Sequence, residues 1–242
     1  MEYSHLREEA ENILKAWQGL SPKPVHDLPD DIAAVIDHTL LKPDADESAV
    51  KKLCAEARQY KFASVCVNPV HVEFCVKQLA ETEIPVCTVI GFPLGSNTIK
   101  IKAAEAREAV AKGAEEVDMV LNVGMLKSNE LAFVQDDVAA VVSAAGKTAL
   151  VKVILETCLL DPPEIALASL LCMEAGAHYI KTSTGFSSGG ATAADVSLMR
   201  YVAGELMGVK ASGGIKDRQI AREMLAAGAT RLGASAGIAI IS

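Results

Sequence analysis

Short apolar runs rich in β-branched residues alternate with stretches of helical period along most of the chain. The apolar runs predict eight strands: AAVID (33–37), ASVCV (63–67), VCTVI (86–90), EVDMVL (116–121), LVKVIL (150–155), HYIKT (178–182), GVKAS (208–212) and TRLGA (230–234). Helical stretches separate them, for example residues 46–60 and 101–113. Eight βα units predict an α/β fold, a closed (β/α)₈ TIM barrel. An open doubly wound sheet is the alternative, although such a sheet rarely needs eight units of such even length.

The first thirty residues lie outside this alternation. An amphipathic helix is predicted from about Glu2 to Trp17, and the Pro-containing segment SPKPVHDLP follows it. We therefore expect an N-terminal helix and linker over residues 1–30 and a single barrel domain over residues 31–242.

Composition and charge exclude several classes of partner. Half of the residues are hydrophobic but only 4% are aromatic, which suits helices packed on a buried parallel sheet. The net charge of −8, with no basic run, makes the chain a poor nucleic-acid binder. The first twenty residues contain no apolar leader, and no apolar stretch approaches the length of a membrane span. We expect a cytoplasmic protein without a nucleic-acid or membrane partner.

The cysteines and histidines give no sign of a metal or disulfide framework. The six cysteines form no CxxC motif and lie inside apolar segments, at positions 54, 66, 75, 87, 158 and 172. This pattern predicts buried free thiols in a reducing compartment. The five histidines show no metal-ligand spacing, so we expect no metal and no other cofactor.

A weak internal repeat points to functional positions. The segments KGAEEVDMV (112–120), AGAHYIKTS (175–183) and AGATRLGAS (227–235) each end a helix with glycine and then enter a strand. Five positions after that glycine come Asp118, Lys181 and Gly233. A purely structural strand would carry valine or isoleucine there.

Three lysines lie within apolar strands, at Lys152, Lys181 and Lys210, and each is 29 residues from the next. One such lysine could end at the barrel rim and extend its amine to water. Three in register, near Asp118, instead predict a cluster that is used. A lysine amine becomes nucleophilic near neutral pH when burial and a neighbouring cation depress its pKa. It can then form an imine with a carbonyl, and Asp118 with the second lysine could move the protons.

Glycine-rich loops follow the last predicted strands, in ASGGI (211–215) and GASAG (233–237). Loops at these places in a barrel commonly bind phosphate through backbone N–H groups. The loop TSTGFSSGG (182–190) adds hydroxyl groups after Lys181.

Rival motifs fail on their context. GFSSG and GASAG match the nucleophile elbow of α/β-hydrolases, but the last histidine of the chain, His178, precedes both serines. AGKT (145–148) lacks the first glycine of a phosphate loop, and no G-x-G-x-x-G is present.

At these residues the sequence closely resembles the bacterial and archaeal deoxyribose-phosphate aldolases, which are class I Schiff-base enzymes on a TIM barrel. The matching segments run from residue 36 nearly to the end and include IDHTLLKP, VCVNP, VIGFPLG, EVDMVLNVGML, VKVILET, YIKTSTGFSSGGAT, GVKASGGI and RLGASAG. The resemblance implies a lyase that reversibly cleaves 2-deoxy-D-ribose 5-phosphate to D-glyceraldehyde 3-phosphate and acetaldehyde, in deoxyribonucleoside catabolism. It implies phosphosugar and aldehyde substrates, no cofactor, and a homodimer or homotetramer.

The resemblance also implies residue roles. Lys181 is the Schiff-base lysine, Lys210 is the neighbouring cation that lowers its pKa and joins the proton relay, and Asp118 is the acid/base that acts with an ordered water. Lys152 is a supporting lysine. The substrate would contact Asp37, Thr39, Cys66 and Thr184. The phosphate would lie against Gly185, Gly213, Gly214, Gly233 and Ser235.

Two positions depart from one branch of that family. Phe186 stands where the branch carries a lysine, and Ala236 where it carries the second of two serines. Both changes remove polar groups from the expected phosphate site. Two other hypotheses stay open on sequence alone: a phosphosugar isomerase with a carboxylate base, and a non-catalytic phosphosugar-binding barrel.

Overall fold

Eight parallel strands close into a barrel in chain order in the computed structural model, which describes residues 3–17, 29 and 31–242. The strands, β1 to β8, are Ile36–Leu40, Ser64–Val67, Val86–Ile90, Glu116–Val120, Leu150–Ile154, Tyr179–Lys181, Gly208–Ser212 and Arg231–Ala234. The predicted (β/α)₈ barrel with an extra N-terminal helix is confirmed. The first strand begins three residues later than predicted, because Ala33–Val35 forms a short 3₁₀ turn before it.

Helices connect the strands on the outside of the barrel. The helices, α1 to α10, are Ser4–Trp17, Glu47–Tyr60, Val72–Leu79, Ile99–Ala111, Val123–Lys127, Leu131–Ala145, Pro162–Glu174, Ala193–Ala203, Arg218–Ala226 and Gly237–Ile241. None of the helices within the described residues is long and apolar enough to cross a membrane.

Alternate residues of each strand face two different environments. In β4, Val117 and Met119 belong to the apolar core between the sheet and the helices. Glu116 and Asp118, on the other face of the same strand, both accept hydrogen bonds from Lys152 inside the barrel. The main hydrophobic core therefore lies outside the strand ring, and the ring itself encloses polar groups.

Side-chain caps anchor several loops at the carboxyl ends of the strands. Asp46, Asp161, Thr192 and Asp217 each accept a hydrogen bond from a backbone N–H in the first turn of the helix that follows. Such caps satisfy N–H groups that have no partner within the helix. They hold the ends of four loops on the face of the barrel where active sites of this fold lie.

The N-terminal helix packs on the barrel. Leu6, Ala10 and Leu14 of α1 are buried in the main core, and α1 lies against α7 and α8. The indole of Trp17 donates to the hydroxyl of Ser197 on α8 over 3.1 Å. Almost all of the predicted linker lies outside the described residues, so the boundary near residue 30 stays a prediction.

Five of the six cysteines are buried free thiols, as expected, but Cys158 is exposed. It lies in the 3₁₀ turn Thr157–Leu159 that follows β5, rather than in a strand or on a buried helix face. The prediction of a buried thiol was wrong there because the apolar run continues past the end of the strand.

A fully buried ion pair ties α4 to α6. The ammonium of Lys102 lies 2.5 Å from a carboxylate oxygen of Asp137 and donates to the carbonyl of Val120, at the end of β4, over 2.9 Å. Burial lowers the pKa of Lys102 and raises the pKa of Asp137, so each partner holds its charge because of the other. Removing one partner leaves an uncompensated buried charge.

We expect Lys102→Met to lower the free energy of unfolding by about 3–5 kcal/mol, measured by denaturant titration. Lys112→Met is the matched control, because it removes an ion pair between a partly exposed lysine and the exposed carboxylate of Glu108 on the same helix. The control should unfold like the unmodified protein. Equal effects of the two substitutions would contradict the role assigned to Lys102.

Candidate active site

A closed ring of alternating charges fills the barrel interior. We call it the charged ring, and it consists of three carboxylates and three cations. In order around the ring they are Asp37, Lys210, Asp118, Lys152, Glu116 and Arg231. Each carboxylate pairs with at least two cations of the ring and each cation pairs with at least two of its carboxylates. Three negative and three positive charges balance.

The contacts within the charged ring are short. Asp118 accepts from Lys152 at 2.8 Å on Oδ1 and from Lys210 at 2.7 Å on Oδ2. Lys152 also lies 2.5 Å from Glu116, and Lys210 also pairs with Asp37. Arg231 closes the ring, with Nη1 2.6 Å from Asp37 and Nη2 2.9 Å from Glu116. Ion pairs of this kind are retained in a protein interior only when each charge has partners.

Lys181 is the seventh charged group and lies outside this closed ring. Its amine donates to Asp118 Oδ2 over 2.8 Å, which is its single ion pair among the described residues. Lys210 donates to the same oxygen. The amines of Lys181 and Lys210 therefore lie within two hydrogen-bond lengths of each other.

The pKa values of the carboxylates show how strongly the cluster favours ionisation. Burial raises the pKa of Asp118, but the ammonium groups of Lys152, Lys181 and Lys210 outweigh it and hold the pKa well below its usual range. Asp37 behaves in the same way, because Lys210, Lys152 and Arg231 lower its pKa against the effect of burial. Both carboxylates are therefore anions at neutral pH.

The cations of the charged ring keep their protons for the reciprocal reason. Burial lowers the pKa of Lys210 and Lys152, and the carboxylates Asp118, Asp37 and Glu116 more than reverse this, so that both pKa values lie above the usual range. Neither lysine is a candidate for a free amine at neutral pH. Lys181 is the lysine of the cluster that lies outside the balanced set.

The expected alignment of three lysines holds only in part. Lys181 lies directly opposite Lys210 in the pairing of β6 with β7, and Lys152 lies opposite Asp118 in the pairing of β4 with β5. Lys152, however, lies opposite Tyr179, which is two residues before Lys181 in β6. The stagger of strands that closes a barrel produces this offset, and the equal spacing of 29 residues does not reveal it.

The opposite wall of the interior is less polar. Leu41, Cys66, Cys87 and Val89 form a small buried cluster, and Phe92 packs against it. Cys66 and Cys87 lie opposite each other in β2 and β3, and the thiol of Cys87 donates to Asp118 over 3.2 Å. Cys66 thus lies beside the predicted acid/base. The lysine amines therefore face an apolar wall across the interior.

Thr184 is held by a residue that sequence reasoning missed. Glu156 follows β5 with a left-handed backbone (φ 57°), and its carboxylate accepts hydrogen bonds from both the hydroxyl and the backbone N–H of Thr184. The Thr184 hydroxyl accepts in turn from the N–H of Phe186. Its proton is therefore already donated to Glu156, and the two residues together shape the loop after Lys181.

The predicted phosphate loops lie side by side. Gly185, Gly213 and Gly214 all have left-handed backbones, with φ of 84°, 85° and 81°. Among the loop hydrogen bonds of the described residues, none is donated by the amide of any of these three glycines. A Cβ on Gly190 would lie 2.3 Å from the carbonyl oxygen of Gly213, so glycine is required there for the loops after β6 and β7 to meet. Unused amides in such a nest favour an anion.

Thr39, Gly233 and Ser235 lie at the β1–β8 side of the barrel. Gly233 leaves room for Lys210, whose Cε would be 3.0 Å from a Cβ at this position. Thr39 donates its hydroxyl proton to the carbonyl of Asp37 over 2.8 Å. Thr39 and Ser235 line a cavity of about 430 Å³ between β1, α2 and α10 whose lining does not include Lys181. Thr39 lies two residues after Asp37 in β1, so the two side chains share one face of the strand.

A family model for the DeoC/LacD family aldolases matches residues 32–242. The chain belongs to this aldolase family. Deoxyribose-phosphate aldolase of Clostridium perfringens is 56% identical over 209 residues, which are 86% of this chain and 93% of the relative. Deoxyribose-phosphate aldolase 2 of Bacillus licheniformis is 57% identical over 211 residues, 87% of this chain and 95% of the relative. The tetrameric structure of deoxyribose phosphate aldolase from Aeropyrum pernix is 34% identical with a TM-score of 0.81, covering 96% of each chain.

Two members of the charged ring, Glu116 and Arg231, were not among the predicted site residues of this aldolase. The positions of both residues in the internal repeat could have identified them. They stand three positions after the helix-ending glycines Gly113 and Gly228, two residues before Asp118 and Gly233. Since side chains two residues apart in a strand face the same side, each had to point into the barrel.

Cys66, Cys87 and Asp118 form the one group among the described residues whose ligand atoms lie close enough together to hold a metal ion, within 4.8 Å of one another. The charge around them argues against a cation. Both oxygens of Asp118 already accept hydrogen bonds from ammonium groups. A metal ion there would lie among three positive charges.

Proposed function

We propose that this aldolase reversibly cleaves 2-deoxy-D-ribose 5-phosphate to D-glyceraldehyde 3-phosphate and acetaldehyde through an imine on Lys181. The observation that carries the proposal is the position of Lys181, whose buried amine lies outside a charge-balanced ring but within hydrogen-bonding distance of Asp118. The relatives named deoxyribose-phosphate aldolase support the choice of substrate. The reaction belongs to the catabolism of deoxyribonucleosides.

The first step is attack of the neutral Lys181 amine on the C1 aldehyde of the open-chain sugar. Loss of water from the carbinolamine gives an iminium, whose positive charge lies where the ammonium was. Asp118 is an anion in the resting site and hydrogen bonds that position. The carboxylate therefore stabilises the iminium and holds it in place.

The second step breaks the C2–C3 bond. The C3 hydroxyl gives up its proton as the bonding electrons move into the iminium, which leaves glyceraldehyde 3-phosphate and an enamine on Lys181. Asp118, acting through a water molecule, accepts this proton and returns one to the enamine carbon. Lys210 shares the same Asp118 oxygen and keeps the proton within the relay. Hydrolysis of the resulting imine releases acetaldehyde and restores the Lys181 amine.

The phosphate end of the substrate lies against the glycine-rich loops. The amides of Gly185, Gly213 and Gly214, in the loops after β6 and β7, donate none of the loop hydrogen bonds of the described residues. Backbone N–H groups in such turns bind phosphate oxygens without the need for a cationic side chain. This accounts for a phosphate site in a chain that carries Phe186 in place of a lysine.

We infer that the protein acts in the cytoplasm as a homodimer or homotetramer. The tetrameric relative from Aeropyrum pernix supports self-association, because its alignment covers the whole barrel. No metal or organic cofactor takes part in the proposed steps.

Reductive trapping tests the imine directly. We expect cyanoborohydride treatment with acetaldehyde to leave an ethyl group on Lys181, identified by peptide mass mapping. Lys152 and Lys210 serve as internal controls, because each is paired with at least two carboxylates and should stay unmodified. Turnover without an adduct would reject imine catalysis and favour an isomerase-type mechanism. Neither an adduct nor turnover would leave a binding protein.

A further inference from the structure

The charged ring reaches well beyond the site of the reaction. Lys181 is the last residue of β6, whereas Glu116 and Arg231 are the first residues of β4 and β8. We propose that Glu116 and Arg231 determine whether Lys181 holds a proton, although neither touches the substrate. They act through the charge balance of the ring. The proposal rests on the proposed function, since it takes Lys181 as the imine-forming amine.

Among the described residues, the side-chain hydrogen bonds of Arg231 and Glu116 are all made within the charged ring. Arg231 donates to Asp37 over 2.6 Å and to Glu116 over 2.9 Å, and its guanidinium lies 6.0 Å above the ring of Tyr179. The remaining oxygen of Glu116 faces Lys152 at 2.5 Å. Both residues are connected to Lys181 only through a chain of ion pairs that ends at Asp118.

The charged and titratable groups around the charged ring and Lys181 come from all eight strands and one loop. They are Asp37 of β1, Cys66 of β2, Cys87 of β3, Glu116 and Asp118 of β4, Lys152 of β5, Tyr179 of β6, Lys210 of β7, Arg231 of β8 and Glu156 after β5. Burial raises the pKa of the Cys87 thiol, so this group adds no charge. Glu156 is bound to Thr184 and is common to every variant considered below.

The balance of charges in the ring distinguishes the proton on Lys181 from the protons of the other cations. The ring contains three positive and three negative groups and is neutral as a whole. A proton on Lys181 gives ring and lysine together one unbalanced positive charge in a buried space. Charges interact strongly where water is excluded. Lys181 has one carboxylate partner, whereas every cation of the ring has at least two. The proton that leaves at the lowest cost is therefore the one on Lys181.

Two substitutions should shift the pH at which Lys181 loses its proton in opposite directions. Glu116→Gln makes the ring positive, so Lys181 loses its proton at lower pH. Arg231→Met makes the ring negative, so Lys181 holds its proton to higher pH. The double substitution removes one charge of each sign and restores the balance. Each single shift should be about one pH unit, the effect of one charge at moderate distance in a protein interior.

The experiment follows the rate of reductive trapping of acetaldehyde on Lys181 as a function of pH, with the acidic limb of kcat/KM as a second readout. Acetaldehyde carries no phosphate, so its own ionisation does not enter the profile. Glu116→Gln should move the acidic limb to lower pH, and Arg231→Met should move it to higher pH. The double variant should return to the position of the unmodified protein. Arg231→Lys keeps the charge and should keep the limb in place, whatever its effect on the rate.

The proposal would be overturned if the acidic limb of the pH profile stayed in place in both single variants, or if it moved in the same direction in both. A purely structural role for Arg231 would lower the rate without moving the limb. If Arg231→Met does not fold, Glu116→Gln and Arg231→Lys decide the matter, since glutamine preserves the shape of glutamate. Absence of any adduct on Lys181 in the unmodified protein would instead refute the proposed function itself.

Discussion

Lys181→Met should lower the turnover of 2-deoxyribose 5-phosphate by at least about 10⁵-fold, because it removes the nucleophile and no other lysine can replace it. The neighbouring lysines lie close enough to Lys181 to be considered as alternative nucleophiles. Lys152 and Lys210, however, each pair with at least two carboxylates, and their pKa values lie above the usual range. Neither can supply a neutral amine at neutral pH.

The same substitution should leave the fold almost unchanged. After loss of Lys181, Asp118 still accepts from Lys152, Lys210 and the thiol of Cys87. No carboxylate is left without a cation, so the free energy of unfolding should change by about 1 kcal/mol or less. Lys210→Met removes a cation from two buried carboxylates at once, and it should cost about 3–5 kcal/mol.

A coupled assay for glyceraldehyde 3-phosphate and a denaturant titration measure these two effects. Lys181→Met should be inactive and stable, whereas Lys210→Met should be nearly inactive and destabilised. Residual turnover of Lys181→Met within about a hundredfold of the unmodified enzyme would show that the carbon–carbon bond is broken without this amine. A large loss of stability in Lys181→Met would show that Lys181 is part of the ring rather than outside it.

The barrel and the reacting residues were predictable because both depend on local periodicity. The alternation of apolar strands and amphipathic helices repeats eight times, and closure of the barrel follows from that number. Asp118 and Lys181 stood out because each occupies a strand position, five residues after a helix-ending glycine, where an apolar residue was expected. A charged side chain in such a place signals a buried polar site.

Other features depend on geometry that the linear pattern does not contain. The offset of Lys152 from Lys181 arises from the stagger of the strands, which is a property of the closed barrel. The bond between Glu156 and Thr184 joins two loops 28 residues apart and depends on a left-handed backbone at Glu156. Glutamate at the end of an apolar run gives no indication of that conformation.

Glu116 and Arg231 were predictable in position but not in role. The internal repeat placed them on the inward face of their strands, but their importance follows only from counting charges once all partners are known. A single carboxylate or guanidinium at the start of a strand is typical of a solvated barrel end. The structure shows instead that they complete a ring, which a residue-by-residue reading of the sequence does not reveal.

Asp118→Asn is the second change with a very large expected effect, on both catalysis and stability. We expect kcat to fall by about 10³- to 10⁴-fold with a much smaller change in KM, since Asp118 moves protons and the loops bind the phosphate. The stability should fall by about 3–5 kcal/mol at neutral pH, because the variant leaves three ammonium groups around a neutral amide. Asp136→Asn, an exposed position on α6, is the control and should change neither quantity.

The pH dependence of that stability difference carries a definite sign. The pKa of Asp118 in the folded protein lies well below that of an unfolded aspartate. Its contribution to stability is therefore complete at neutral pH and is lost as the pH falls below about 4 towards the folded pKa. The gap between the unmodified protein and Asp118→Asn should accordingly be constant near neutrality and narrow in acid. A gap that widened in acid would mean that folding raises the pKa of Asp118 above that of an unfolded aspartate. The lysines around Asp118 would then not outweigh the effect of burial, which contradicts the role of Asp118 as an anion that stabilises the iminium.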